Sequence, residues 1–142
     1  MNLYPNIIGT YGSLRVGHGN WRGMLRDTEC INEQDTLTGY QLFTWPNGGY
    51  PCIVKTENPE DTVVVDVFDL NNTTGHDPVQ IGDRIDRMEF GAGYHKELVI
   101  LRSGRMAWVY PMTAEKAERQ GMTTYVESGD WTEWKRAQGY SI

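Results

Sequence analysis

Residues 10–15, Thr10-Tyr11-Gly12-Ser13-Leu14-Arg15, lead from an apolar stretch into a glycine-containing turn. The apolar, β-branched residues just before it predict a strand over residues 7–11. Gly17, Gly19 and Asn20 follow, so this strand ends abruptly. A tight turn can leave backbone N–H groups free to hold a carboxylate or to stabilise an oxyanion. Most turns of this type have no ligand, so both interpretations stay open on these residues alone.

Short runs with β propensity continue outward from this turn and are separated by many of the chain's 16 glycines. This pattern predicts an antiparallel sheet or barrel rather than a helical fold. The predicted strands are residues 7–11, 39–45, 51–54, 62–69, 94–101, 106–112 and 123–126.

A helix is predicted between residues 72 and 93. Asp77 is a suitable N-cap, Pro78 suits the first turn, and Ile81, Ile85 and Met88 follow at helical spacing. A second, short helix is predicted over residues 114–120, between a threonine cap and a glycine stop.

Glu89 falls at the C-terminal end of the first predicted helix, just before Gly91 and Gly93. The negative end of the helix dipole and an apolar barrel mouth beside it would both raise the pKa of this carboxyl group. A raised pKa suits a general acid and base. The alternative is that Glu89 is a solvated surface residue, which is the commoner situation for a glutamate. Asp86, one turn earlier, is expected to be a surface charge paired with Arg84 or Arg87.

Composition limits the possible partners. A chain of 142 residues with a net charge of −6 is expected to form one domain over residues 1–142 and to avoid nucleic acids and anionic membranes. Two cysteines outside any CxxC pattern predict neither a disulfide framework nor a zinc site. No secretory signal pattern and no long apolar run is present, so a cytoplasmic location is expected. The expected ligand is a small, partly cationic or zwitterionic molecule.

Several short motifs, taken together and in order, resemble the γ-glutamylcyclotransferase and γ-glutamylamine cyclotransferase family. Tyr11 to Arg15 with Gly17 and Asn20 is similar to the family's YGSL turn, and Gly49-Tyr50-Pro51 to its GxYP turn. The remaining matches are Val64 to Leu70, Asp86 to Gly91 with Tyr94, Ala107 to Tyr110, and Ser128-Gly129-Asp130-Trp131. The resemblance covers nearly the whole chain.

The resemblance implies an α+β, mainly β fold: a small closed or nearly closed mixed β-barrel with one main helix and one or two short helices. It also implies release of 5-oxoproline from a γ-glutamyl compound, with Glu89 as the acid and base and no cofactor or metal. The implied substrate-binding residues are Tyr11, Gly12, Ser13, Leu14, Asn20 and Tyr94. The alternatives are a module of the same fold that binds a small ligand or a protein without catalysis, or an enzyme in which water or another amine attacks.

Departures from the family pattern concern the central strand, which carries Asp66 and Asp69. Either acid would attract a cationic amine on the substrate, but a strand aspartate facing solvent is the expected role.

The remaining candidates are less informative. Tyr125 near a strand end is a possible hydrogen-bond partner of the ligand, and His18 is close enough to the turn to touch one. The histidines lack metal-ligand spacing. The tryptophans are expected to be core residues or to plug the end of the barrel, and not to stack on a ligand. Either a monomer or a homodimer is possible, with the arm at residues 4–7 or the tail at residues 131–140 as the suspected contacts.

Overall fold

The computed structural model describes residues 6–142, which form two β-sheets and four helices. The strands are β1 (Ile7–Thr10), β2 (Thr28–Thr38), β3 (Tyr40–Trp45), β4 (Gly48–Lys55), β5 (Thr62–Thr73), β6 (Glu97–Ile100), β7 (Met106–Val109) and β8 (Thr124–Tyr125). The helices are α1 (Gly19–Met24), α2 (Pro78–Gly91), α3 (Ala114–Arg119) and α4 (Trp131–Ala137). The predicted mainly β, α+β class is confirmed.

The larger sheet has the strand order β2-β5-β1-β7-β6, and the smaller one has the order β4-β3-β8. The pair β1 and β7 is parallel, and the other pairs are antiparallel. Neither sheet closes on itself within residues 6–142, so the predicted closed barrel is wrong. The edge strand β2 is bulged between Thr28 and Asp35 and β6 has four residues, so no ladder joins these edges. One hydrogen bond, from Arg102 N–H to Thr36 O at 2.9 Å, approaches such a closure.

The core has a layer on each side of β5, because alternate residues of a strand point to opposite faces. Val63, Val65 and Val67 pack in a cluster that also contains residues of the smaller sheet, while Phe68 and Leu70 pack in a second cluster with α2. The helix contributes Ile81 and Ile85 to the second cluster, as its sequence spacing predicts. These contacts fix α2 against the larger sheet.

The ends of α2 and α3 follow the predicted capping. The Asp77 carboxylate accepts a hydrogen bond from Val79 N–H at 2.9 Å, and Pro78 occupies the first turn of α2. The Thr113 hydroxyl accepts one from Lys116 N–H at 3.2 Å, and Gly121 ends α3 with a φ of 80°. The capping of α2 places Glu89 in its last turn.

A close approach of the chain to itself explains Gly129. A Cβ atom at this position would lie 2.1 Å from Thr62 O, and the φ of 68° also favours glycine. Val64 N–H in turn donates to Gly129 O at 2.8 Å. Gly129 thereby sets the start of α4 against β5.

The sequence interpretation missed β2, α1 and α4. Polar residues and bulges interrupt the alternation in β2, and α1 is a six-residue helix that contains two glycines. The tail suspected of dimer contacts contains α4, whose Trp131 is buried and stacks on Trp134 at 5.3 Å. In the other suspected contact, residues 4–7, the first two residues lie outside the described residues and Ile7 begins β1.

Both cysteines are free thiols. Among residues 6–142, no helix has the length and apolar character needed to cross a membrane.

Candidate active site

A cavity of about 310 Å³ opens between the end of β1, the end of α2 and the hairpin of the smaller sheet. Its volume is at the lower end of the range for small-molecule sites. It is lined by Gly9, Thr10, Tyr11, Gly12, Ser13, Leu14, Asn20, Trp45, Tyr50, Pro51, Met88, Glu89, Ala92, Tyr94, Tyr110 and Gln120.

The turn after β1 forms the inner wall of this cavity and packs tightly. A Cβ atom on Gly12 would lie 2.7 Å from Pro51 Cγ, so the close approach of the Pro51 ring requires glycine at this position. The turn is braced by hydrogen bonds from Asn20 Nδ2 to Ser13 Oγ at 2.7 Å and from Trp21 N–H to Ser13 O at 3.1 Å.

Three backbone amides of the turn lie beside the cavity without an acceptor among the described residues. Arg15 N–H donates to Gly12 O at 3.0 Å, but the N–H groups of Gly12, Ser13 and Leu14 have no hydrogen-bond acceptor among the described residues. All three residues line the cavity. The predicted cluster of free amide donors is therefore present beside the cavity.

A buried ion-pair network holds this turn from behind. Arg15 Nε lies 3.2 Å from Asp66 Oδ2, and Arg15 Nη1 lies 2.7 Å from Asp130 Oδ1. Asp66 is only 4% exposed and also accepts hydrogen bonds from Val16 N–H and Gln34 N–H, both at 3.0 Å. The expectation that Asp66 faces solvent is wrong, and Asp66 does not line the cavity where it would meet an amine.

His18 belongs to the same buried region and not to the cavity. Its Nε2 lies 2.8 Å from Thr132 Oγ1. Burial, together with the charges of Arg15 and Lys135, lowers its pKa to about 4. A neutral His18 therefore bridges the turn and α4 at neutral pH, and the idea that it touches a ligand is not supported.

Glu89 presents the one carboxyl group among the described residues that line the cavity. Its backbone O accepts hydrogen bonds from Ala92 N–H and Tyr94 N–H at 3.1 Å, which fixes the end of α2. No donor contacts its carboxylate within residues 6–142. Burial, and to a smaller extent the charge of Asp86, raises its pKa to about 7. The predicted direction of this shift is confirmed, with Asp86 as the neighbouring charge.

Three tyrosines surround Glu89, and each hydroxyl already has an acceptor. Tyr11 donates to Tyr110 O at 2.7 Å, Tyr94 to Pro51 O at 2.7 Å, and Tyr110 to Asp86 Oδ1 at 2.6 Å. Burial raises the pKa of all three, and the charge of Glu89 adds to it. They stay neutral and leave the Glu89 carboxylate free to accept a proton.

Asp86 has a different role from the one its sequence suggests. Its carboxylate accepts a hydrogen bond from the Tyr110 hydroxyl and lies 3.1 Å from Lys96 Nζ. The expected pairing with Arg84 or Arg87 is therefore wrong. Lys96 Nζ also lies 5.0 Å from the centre of the Trp108 ring. This arrangement keeps a carboxylate one helical turn behind Glu89.

The structure brings together most residues proposed from the sequence. Tyr11, Gly12, Ser13, Leu14, Asn20, Glu89 and Tyr94 all line the cavity. Tyr125 does not: it is exposed and packs on Phe43, with 5.4 Å between the ring centres.

The sequence does not predict the residues that form the outer wall of the cavity, on the side opposite the turn after β1. Trp45, Tyr50, Met88 and Gln120 reach the cavity from β3, β4, α2 and the end of α3. The sequence predicts a core residue or a plug at the barrel end for Trp45, and not a wall of the cavity. Only the neighbouring Tyr50-Pro51 turn gave a signal for this wall.

Residues 6–142 contain no group of three or more histidine, cysteine, aspartate or glutamate side chains that could hold a metal ion.

Comparisons with known proteins agree with this architecture. A family model for γ-glutamyl cyclotransferase, AIG2-like proteins matches residues 8–133. The chain therefore belongs to the γ-glutamyl cyclotransferase, AIG2-like family. No match was found among curated proteins.

Solved structures show the same fold. Protein PH0828 from Pyrococcus horikoshii is similar with a TM-score of 0.68 and 24% identity, covering 94% of this chain and 95% of that one. YkqA from Bacillus subtilis is similar with a TM-score of 0.67 and 26% sequence identity, and the match covers 94% of this chain and 42% of that one. A mouse AIG2-like protein is similar with a TM-score of 0.59 and 15% sequence identity, and the match covers 77% of this chain and 78% of that one.

Proposed function

We propose that the protein cyclises a γ-glutamyl compound, releasing 5-oxoproline and a free amine, with Glu89 as the acid and base. The observation that carries this proposal is the position of Glu89. Its carboxyl group, with a pKa of about 7 and no hydrogen-bond donor among residues 6–142, lies in the same cavity as the amides of Gly12 to Leu14, which have no acceptor among those residues. Membership of the γ-glutamyl cyclotransferase, AIG2-like family supports the same chemistry.

Substrate binding is assigned to the turn. The free N–H groups of Gly12, Ser13 and Leu14 offer fixed donors for an oxygen of the γ-glutamyl group, either its α-carboxylate or the developing oxyanion. Such donors do not have to reorganise during reaction, because the Arg15 network and Pro51 hold the turn on both sides. The α-ammonium group would then face Glu89, the one charged side chain among the described residues that line the cavity.

The reaction moves two protons from the α-nitrogen to the leaving nitrogen. The Glu89 carboxylate takes the first from the α-ammonium group, and the free amine attacks the γ-carbonyl carbon, forming the ring C–N bond, an oxyanion and a positively charged ring nitrogen. When the oxyanion collapses, the bond to the leaving nitrogen breaks and protonated Glu89 gives its proton to that nitrogen; ionised Glu89 then passes the second proton from the ring nitrogen to the released amine, which departs as an ammonium ion. No water is consumed, and Glu89 ends ionised, as it began. The tethered nucleophile supplies the proximity that makes this cyclisation accessible.

The direct test measures 5-oxoproline release from γ-glutamyl amino acids, γ-glutamyl-ε-lysine, γ-glutamyl alkylamides and glutathione. We expect stoichiometric 5-oxoproline and free amine from at least one class. Glutamate in place of 5-oxoproline would indicate attack by water. Binding of these compounds without any product would support the non-catalytic ligand-binding alternative.

The pH dependence of kcat/KM is expected to report the pKa of Glu89. The base form exists above its pKa, so kcat/KM should fall about tenfold per pH unit below about pH 7 and level off above it. An ordinary glutamate would place this limb near pH 4.5. Because the charge of Asp86 contributes to the shift, Asp86→Asn should move the limb to lower pH, whereas Asp83→Asn, on the exposed side of α2, should not. An acid limb that stays near pH 4.5 in the wild type would contradict the assignment.

A further inference from the structure

The mouth of the cavity differs in chemistry from its inner end. Gly9, Thr10, Tyr11, Gly12 and Leu14 are buried, whereas Tyr50, Ala92 and Gln120 are exposed and mark the opening. With the γ-glutamyl group held at the turn and its α-amine at Glu89, the leaving group must extend toward this opening. Its surroundings there determine which amines the site accepts.

Trp45 lies at the opening, where its indole ring is hydrogen-bonded and closely packed. Its indole Nε1–H donates to Gln120 O at 2.6 Å. A Cβ atom on Gly49 would lie 3.0 Å from the ring and one on Gly121 would lie 3.6 Å from it, so the absence of these side chains leaves room for the indole. Tyr50, 55% exposed, packs edge-on against it at 6.4 Å. A fixed aromatic face of this kind suits an apolar or aromatic group.

Charged leaving groups find no partner on this wall. None of the described residues that line the cavity is a lysine, arginine, histidine or aspartate, and Glu89 is committed to the reacting amine. Lys116 lies beside Gly93, where a Cβ atom would be 3.9 Å from its Nζ, but it does not line the cavity. Placing an unpaired ammonium or carboxylate against apolar side chains is unfavourable.

We infer that the leaving group is an amine whose tail is uncharged and either apolar or aromatic. The Trp45 and Tyr50 side chains hold this tail at the mouth of the cavity. This inference rests on the proposed cyclisation, because that reaction fixes which end of the substrate faces outward. It names the substrate class as γ-glutamyl amides of neutral hydrophobic amines, in preference to γ-glutamyl compounds whose tails end in an ammonium or a carboxylate.

A matched panel of γ-glutamyl amides tests it. The amides of hexylamine, 1,5-diaminopentane and 6-aminohexanoate have tails of similar length that end in a methyl, an ammonium and a carboxylate group, and the amide of phenethylamine adds a ring. We expect kcat/KM for the two neutral amides to exceed that for both charged ones by about tenfold or more. Equal values, or a preference for either charged tail, would overturn the inference.

Variants locate the preference. Trp45→Ala should reduce the ratio of kcat/KM for phenethylamide over the ammonium-tailed amide to near one, and Trp45→Phe should retain part of it. Because Trp45 also holds Gln120, Tyr50→Ala, at an exposed position, provides a second readout that does not depend on the fold of the first variant. Ile100→Ala, on the exposed face of β6, is the control and should leave the ratio unchanged. A ratio unaffected by both Trp45→Ala and Tyr50→Ala would exclude this wall as its source.

Failure of the proposed function gives a different result. If no amide is cyclised, the cyclisation is wrong, and calorimetric binding of the four amides to Glu89→Gln decides the inference by itself. Tighter binding of the neutral amides would support an apolar mouth, and tighter binding of a charged one would overturn it.

Discussion

Replacing Glu89 by glutamine is expected to lower kcat for 5-oxoproline release by about 10²–10⁴-fold, the range for loss of a general acid and base. Glutamine keeps the size of the side chain but cannot take the proton of the α-ammonium group or return it to the leaving nitrogen. Calorimetry with an unreactive γ-glutamyl analogue should show that binding survives within about tenfold, since the turn amides remain. Glu89→Asp should recover part of the activity.

The same variant is expected to be more stable than the wild type at alkaline pH. Burial raises the pKa of Glu89 from an ordinary 4.5 to about 7, so the folded state binds this proton more tightly than the unfolded state. The associated stability is present below about pH 4.5 and is lost as pH rises to about 7. Above pH 7, Glu89→Gln should gain about 1–3 kcal/mol in free energy of unfolding, with the lower values expected because the side chain is partly solvated. Near pH 4 the two proteins should be equally stable.

Urea unfolding at pH 4 and pH 8 measures this difference. Glu118→Gln, an exposed residue of α3, is the matched control and should change neither stability nor turnover. Wild-type turnover in Glu89→Gln would exclude the acid and base role. A loss of turnover with a lower free energy of unfolding at pH 8 would instead indicate that Glu89 supports the fold.

The inner half of the candidate site was predictable because its signals are local. The caps of α2 and its apolar spacing place Glu89 at the helix end, and the glycine turn follows directly from β1. Both segments carry a local sequence signal, although the distant partners Asp66 and Asp130 of Arg15 hold the turn in place. Their meeting in one cavity was expected only from the resemblance to a family.

The outer half depends on contacts between distant parts of the chain. Trp45 is fixed by Gln120, which lies 75 residues away. Behind the inner turn, Asp66 is likewise paired with Arg15, which lies 51 residues away. Nothing in the sequence near Asp66 shows that it is buried and paired. The prediction of a closed barrel was wrong for a related reason. Closure would need β2 to pair with β6, and the bulges of β2 are not visible as a sequence pattern.

Replacing Arg15 by methionine is expected to lower the free energy of unfolding by about 3–5 kcal/mol, because it leaves two carboxylates without their counter-charge. Arg15 is 3% exposed and joins the turn after β1 to β5 and to the start of α4. Asp66 is buried, so its charge cannot be rehydrated without displacing β5 or the turn. Since Gly12 to Leu14 precede Arg15 directly, 5-oxoproline release should fall as well.

The acid side of the stability profile should change in the same variant. Partial burial alone would raise the pKa of Asp130, but the hydrogen bond and charge of Arg15, with backbone donors of α4, lower it overall below 3.8. This contribution to stability is present above about pH 4 and is lost as pH falls further. Arg15→Met should therefore show a weaker loss of stability on acidification than the wild type.

Urea unfolding at low temperature, with Arg22→Met as the control, separates this network from a general effect of removing an arginine. Arg22 is exposed on α1, so its replacement should change the free energy of unfolding by less than about 0.5 kcal/mol. Adding Asp66→Asn to Arg15→Met removes one unpaired charge and should restore part of the lost stability. If the double variant is no more stable than Arg15→Met alone, the cost comes from lost packing of the arginine side chain and not from the buried charge of Asp66.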